Sequence, residues 1–365
     1  MINIKKGSIF VYNVFDIGWE INLSKAEELL LTKQKTSSRF KFSKDPRKAI
    51  IIKEAPLEIN IGREIIKINE VDYDANLHAK IWDYGAISIS VEIILKENTT
   101  FDLLHLIALY LEETDYIEKL ARKIKDEVKS IIFDSIKLPQ EWAQFEDYII
   151  YYIEQIEGIS EPQEIFQKFD VASLILGENK NTLSQFSSLP VTERFIQYYK
   201  NDIAVIDWDS ALIIEPTGSK DICDAIEFSL THLLELRYYD YSIDKKLDLL
   251  YDALEKESQK ISSIFKFNYS KLSEEASKTY IEFSDLLSKI ENSFKTVGDP
   301  YIATVFRTCA EQFRFDDWYS SIARKMDTLF QITQIINSEL NAIRSHLLEI
   351  VIIILIAIEI IPFFK

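Results

Sequence analysis

Apolar positions along the first 240 residues recur in two rhythms, one of strands and one of helices. Ile9–Val14 and Tyr148–Ile153 are short runs of branched and aromatic side chains, the composition of strands buried on both faces. Each run is followed by a glycine, Gly18 or Gly158, and then by a helix start with capping-box spacing: Ser24 with Glu27, and Ser160 with Gln163 behind Pro162. A second pair of landmarks follows in the same order. Ile81–Ile89 and Ile206–Ile214 each hold a Trp-Asp pair, an alanine and an Ile-rich strand, and each precedes an apolar helix, starting near Thr99 or Ser219. The repeated order predicts a diverged tandem repeat. Further strands are expected near Ala49–Lys53, Leu57–Ile61 and Glu64–Asn69, and a helix over Tyr116–Ile136. The fold class expected is α+β, with two β-α-β-β-α (ferredoxin-like) halves, residues 1–138 and 139–241, forming a mixed head.

From Ser242 the strand signals stop. Apolar residues at Tyr269, Leu272, Ala276, Tyr280, Phe283, Leu287, Ile290 and Phe294 are three or four apart, as one helix face requires. Val297-Gly-Asp-Pro300 ends that helix and starts another. A later face reads Trp318, Ile322, Met326, Leu329, Ile332, Ile336, Leu340, Ile343 and Leu347. Residues 242–346 therefore predict a long antiparallel helical hairpin. Its last arm runs into residues 347–364, where Glu349 and Glu359 are the only charges. At ~1.5 Å per residue this run is ~27 Å long, close to the thickness of bilayer hydrocarbon. It predicts a membrane anchor, or else an apolar helix buried between copies. Either way a homo-oligomer is expected, because Glu359 near mid-run is poorly matched to lipid in a lone helix.

Composition narrows the reading. The chain of 365 residues is 47% apolar with 22 Phe and 18 Tyr, which predicts an aromatic-rich core. A net charge of −17 disfavours general attraction to nucleic acid or anionic lipid. The start of the sequence has no apolar signal core, so the body is expected in the cytoplasm. Cys223 and Cys309 read as small core residues. None of the eight glycines forms a dinucleotide fingerprint or a P-loop, and no cofactor is expected.

Candidate chemistry is sparse, and no catalytic set is expected. Asp207 and Asp209 flank Trp208; on a strand the two carboxylates would share one face and could ligate Mg²⁺ or Ca²⁺, or else form a solvated face beside a buried Trp. His78, His105, His232 and His346 have no metal-ligand spacing and read as separate structural histidines. Arg237, among Leu233, Leu234 and Leu236, needs a partner such as Asp240. Arg39, Lys41, Lys44, Arg47 and Lys48 lie in the one markedly basic stretch, interleaved with Phe40 and Phe42. That stretch reads as a solvated hairpin, an RNA contact or a lipid head-group contact.

Three features together resemble the required-for-meiotic-nuclear-division (RMD) family: Trp82-Asp-Tyr-Gly85 before an alternating strand, Leu233–Asp240 at a helix end, and His346-Leu-Leu-Glu349 running into Ile-rich sequence. The resemblance implies a membrane-associated protein with no assigned activity, and a relative linked to mitochondrial translation. The functional expectation is a non-enzymatic membrane-tethered scaffold or regulator with an unidentified protein partner. The alternatives are an RNA-associated accessory factor, a soluble homo-oligomer, or a metal-dependent enzyme using Asp207 and Asp209.

Overall fold

A computed structural model describes residues 2–33, 37–39, 55–258, 271, 273–274, 276–281, 283–284 and 300–360. The chain divides into two compact units, residues 1–235 with 293–315 and residues 236–292 with 316–365.

The first unit is built on a ten-stranded sheet. Its strands are β1 (Asn3–Asp16), β3 (Ser37–Arg39), β4 (Leu57–Ile68), β5 (Val71–Ile81), β6 (Ala86–Ile94), β7 (Thr99–Thr100), β9 (Phe145–Glu157), β10 (Phe195–Ile196), β11 (Ile203–Ile206) and β12 (Ser210–Ile214). The strand order is β10-β11-β12-β9-β1-β6-β5-β4-β3, with β7 paired to the start of β1. The two apolar runs picked out by pattern are the middle pair, β1 and β9. They run antiparallel, with Ile9 opposite Tyr151 and Tyr12 opposite Tyr148. Gly7 allows the close approach at their irregular end, because a Cβ there would lie 2.7 Å from the Tyr152 carbonyl oxygen.

Helices cover both faces of this sheet. The described helices of the whole chain are α1 (Leu23–Thr32), α2 (Phe101–Glu113), α3 (Tyr116–Ile132), α4 (Ile165–Lys168), α5 (Val171–Ile175), α6 (Gln185–Glu193), α7 (Asp221–Ser258), α8 (Pro300–Gln312) and α9 (Phe315–Ile360), the last belonging to the second unit. One face, with Ile9, Val11, Ile149 and Tyr151, forms a single core with α1, α2, α3 and α5. α3 presents Ile117, Ala121, Ile124, Val128 and Ile132 to it at three- and four-residue spacing. The other face meets α7 and the end of α8: the Tyr148 ring lies 5.8 Å from Phe313, and Tyr152 Oη donates to the Ser219 carbonyl at 2.9 Å. Burial on both faces explains the absence of polar alternation in β1 and β9.

The two Trp-Asp landmarks are both hairpin turns, between β5 and β6 and between β11 and β12. Trp82–Gly85 is clamped from outside by β2 (Gly18–Ile21), which pairs with β8 (Ile136–Pro139): Ile17 N–H donates to the Gly85 carbonyl at 3.0 Å, and Ile21 N–H to Asp83 at 2.7 Å. Gly85 has φ +103°, and a Cβ there would sit 1.7 Å from the Gly18 carbonyl oxygen, so only glycine fits. Trp82 is buried and stacks on Tyr84 at 5.9 Å and Phe228 at 5.2 Å.

The fold is mixed α+β, but the strand order is not that of two ferredoxin-like halves. On one side β6, β5 and β4 follow β1 as an antiparallel meander, whereas β12 lies parallel to β9. A parallel neighbour requires a crossover connection, and residues 158–209, with α4–α6, β10 and β11, provide it. β5 is a strand that the pattern did not mark, and β4 runs without a break through both strands expected near 57–69. The strand expected at Ala49–Lys53 lies outside the described residues. α1 is capped by Asn22, whose Oδ1 accepts from Lys25 N–H at 3.0 Å, and not by Ser24.

Between β5, β6 and α7 the unit buries charge. Lys80, 6% exposed, donates to Asp224 Oδ1 at 2.7 Å and Glu227 Oε2 at 2.6 Å, while Ser88 donates to Glu227 Oε1 at 2.5 Å. Burial works against the ammonium, yet the two carboxylates hold its pKa above the ordinary lysine range.

The second unit is helical. Ile243, Leu247 and Leu250 of α7 are buried, as are Ala276 and Phe283, and Ile322, Met326, Leu329, Ile332 and Ile336 of α9. Ser321 donates to Asp240 Oδ1 at 2.7 Å and, one turn on in both helices, Lys325 pairs with Asp244 at 2.5 Å, so α7 and α9 run side by side in the same direction. Ser273 donates to Asn337 Oδ1 at 2.7 Å, and Tyr280 lies 5.8 Å from Phe330, so the 271–284 stretch runs antiparallel to α9. The expected two-armed hairpin thus gains α7 as a third neighbour. Leu233–Asp240 lies inside α7 and not at its end, and the recorded partners of Asp240 are Lys325 and Ser321.

Removing one partner of a buried ion cluster leaves the others uncompensated. Lys80→Ala is expected to lower stability by ~3–5 kcal/mol in urea unfolding, and Lys67→Ala, at the exposed pair with Glu70, by under ~0.5 kcal/mol.

Candidate functional site

α2 and α3 meet at a tight corner, Thr114-Asp115, above the end of the β1–β9 pair. Beneath the corner lies a cleft of about 420 Å³. Its acidic lining is Glu112, Glu113, Asp115, Glu118, Asp147 and Asp209. Val11, Leu111, Ile117, Ile149 and Trp208 supply apolar wall. Asn13, directly opposite Asp147 in the β1–β9 ladder, also lines it.

The sequence builds this site locally. α2 is capped at its start by Thr100, whose Oγ1 accepts from Leu103 N–H at 3.1 Å, with Asp102 in the first turn. Its last turn carries Glu112 and Glu113 and no base. Acids at a helix C-terminus oppose the helix dipole, so this end is locally unfavourable. Asp115 and Glu118, at the start of α3, are favourably placed and hold Lys119 at 2.5 Å and Arg122 at 2.7 Å. Among the described residues, Glu112, Glu113 and Asp209 make no ion pair. Burial pushes the Glu112 carboxyl above the usual range, and Asp209 and Asp147 push it further. Asp209 is raised by burial, then by Asp207 and Asp147.

Two buried polar atoms beside the cleft lack partners. Asn13 is 2% exposed and its Oδ1 makes no hydrogen bond; the same holds for the Tyr151 hydroxyl. Tyr151 is held above the ordinary tyrosine range by burial, and next by Glu112 and Asp209. The paired glutamates in the last turn of α2 were the sequence signal for this site, and the sequence reading passed over them.

Asp207 and Asp209 do not share a strand face: they belong to the turn between β11 and β12. Trp208 is 46% exposed rather than buried, with an edge contact to Phe313 at 6.5 Å. Among the described residues, no three His, Cys, Asp or Glu side chains converge on a metal-sized point. His105 and His232 each hydrogen-bond a backbone carbonyl, Glu178 at 2.7 Å and Phe228 at 2.8 Å. Cys223 and Cys309 are free and buried. Arg39 bonds Glu27 and Ser24 of α1 and the Ala55 carbonyl. Lys41, Lys44, Arg47 and Lys48 lie outside the described residues.

Farther along the chain, α9 is the one described helix long and apolar enough to cross a membrane. Its side chains from Leu347 to Ile358 are exposed, and Glu349 lies 3.5 Å from His346. Glu359 belongs to α9, and its side chain lies outside the described set.

Residues 6–221 match the family described as the N-terminal domain of uncharacterized protein MJ0711. That protein, from Methanocaldococcus jannaschii, is 24% identical over 208 residues, which are 54% of this chain and 63% of its own length, less than two thirds. No solved structure matches. The match replaces the expected RMD family, for which the comparisons hold no support. The features behind that resemblance have local explanations: Trp82–Gly85 is a clamped turn, and Leu233–Asp240 is mid-helix. Every residue of the acidic cleft falls inside the matched stretch, and α7, α8 and α9 beyond Asp221 fall outside it.

Three residues along β1 from Asn13, Asp16 accepts from Gly18 N–H at 3.2 Å and Gln140 Nε2 at 3.1 Å. Burial nevertheless pushes its carboxyl up to about 7. A raised acid binds its proton more tightly in the folded state, so its ionisation weakens the fold. Stability is expected to fall as pH rises from the ordinary aspartate value of 3.8 through about 7. Asp16→Asn should flatten that slope in thermal melts, and an unchanged slope would remove Asp16 as its source.

Proposed function

The chain belongs to the MJ0711 N-terminal domain family, and on that premise we propose that it is a non-enzymatic scaffold or regulator whose family domain is tethered to a membrane by the end of α9. The observation that carries this reading is the exposure of apolar side chains all around α9, from Leu347 at 38% to Ile353 at 64%. A groove or a single partner helix covers one stripe of a helix. An apolar surface on every side calls for lipid or a bundle of several helices. Each Leu or Ile moved out of water contributes ~1.5–3 kcal/mol. That outweighs the ~2.5 kcal/mol cost of a carboxylate such as Glu359 near the bilayer centre.

Copies of α9 then lie side by side in the membrane and share hydrogen bonds between their Glu359 carboxyls. The body sits on the cytoplasmic side. The RNA-associated reading has lost one motive, because the link to translation came through the RMD family, and Arg39 is engaged with α1.

Full-length protein is expected in the membrane fraction after a high-pH wash, and a chain lacking Leu347–Lys365 in the soluble fraction. Full-length protein that stays soluble and monomeric without detergent would remove the tether. The two native cysteines are buried, so Ser345→Cys gives a single accessible thiol. It should form disulfide-linked dimers under mild oxidation; a monomer under conditions that keep the protein in the membrane would exclude side-by-side packing.

A further inference from the structure

We draw no further inference here: the strongest candidate, the acidic cleft beneath the α2–α3 corner, is a cluster of carboxylates with no second observation that points to a ligand, since the unpaired atoms of Asn13 and Tyr151 are sealed from solvent.

Discussion

The antiparallel pairing of β1 with β9 is the constraint on which the family domain rests. Both strands are longer than a dozen residues and buried on both faces, so each backbone donor and acceptor in them must be met by a neighbouring strand. β6 meets β1 from one side and β12 meets β9 from the other, and each brings its hairpin partner. The side chains then divide by parity into two cores. Ile9, Val11 and Tyr151 go to α1–α3 and α5, while Tyr148 and Tyr152 go to α7 and the end of α8. A slip of one residue in this register would exchange the two faces. It would also separate Asn13 from Asp147, and with them the floor of the cleft.

Charge is handled differently on the two faces. On the α7 face, Lys80 meets two carboxylates and the cluster closes on itself with Ser88. On the α2–α3 face, Glu112 and Asp209 crowd toward Asp147 with no opposing cation of their own. A closed ion cluster joins a helix to a sheet. In the open cluster, burial and the neighbouring carboxylates both raise Glu112 and Asp209. The family match runs through the open cluster and stops before Asp224 and Glu227. The matched stretch therefore carries the cleft, while the carboxylates of the closed cluster come from the helix that follows.

Much of this was decided locally and could be read from the chain alone. The apolar runs at Ile9–Val14 and Tyr148–Ile153, the Trp-Asp landmarks, the amphipathic face of α9 and the apolar segment after His346 depend on spacing and composition, which act over a few residues. Asp207 and Asp209 were legible as a pair, though not as part of a turn, because Asp-Trp-Asp carries no glycine or proline to mark one. Tertiary structure alone decided which strands became neighbours, since a parallel partner for β9 depends on where a crossover of some fifty residues returns. It also decided that Asn13, Glu112, Asp147 and Asp209, spread over nearly two hundred positions, line one cleft. No local pattern encodes such a meeting, because it follows from sheet register and the angle of a helix corner, and those are set by packing over the whole domain.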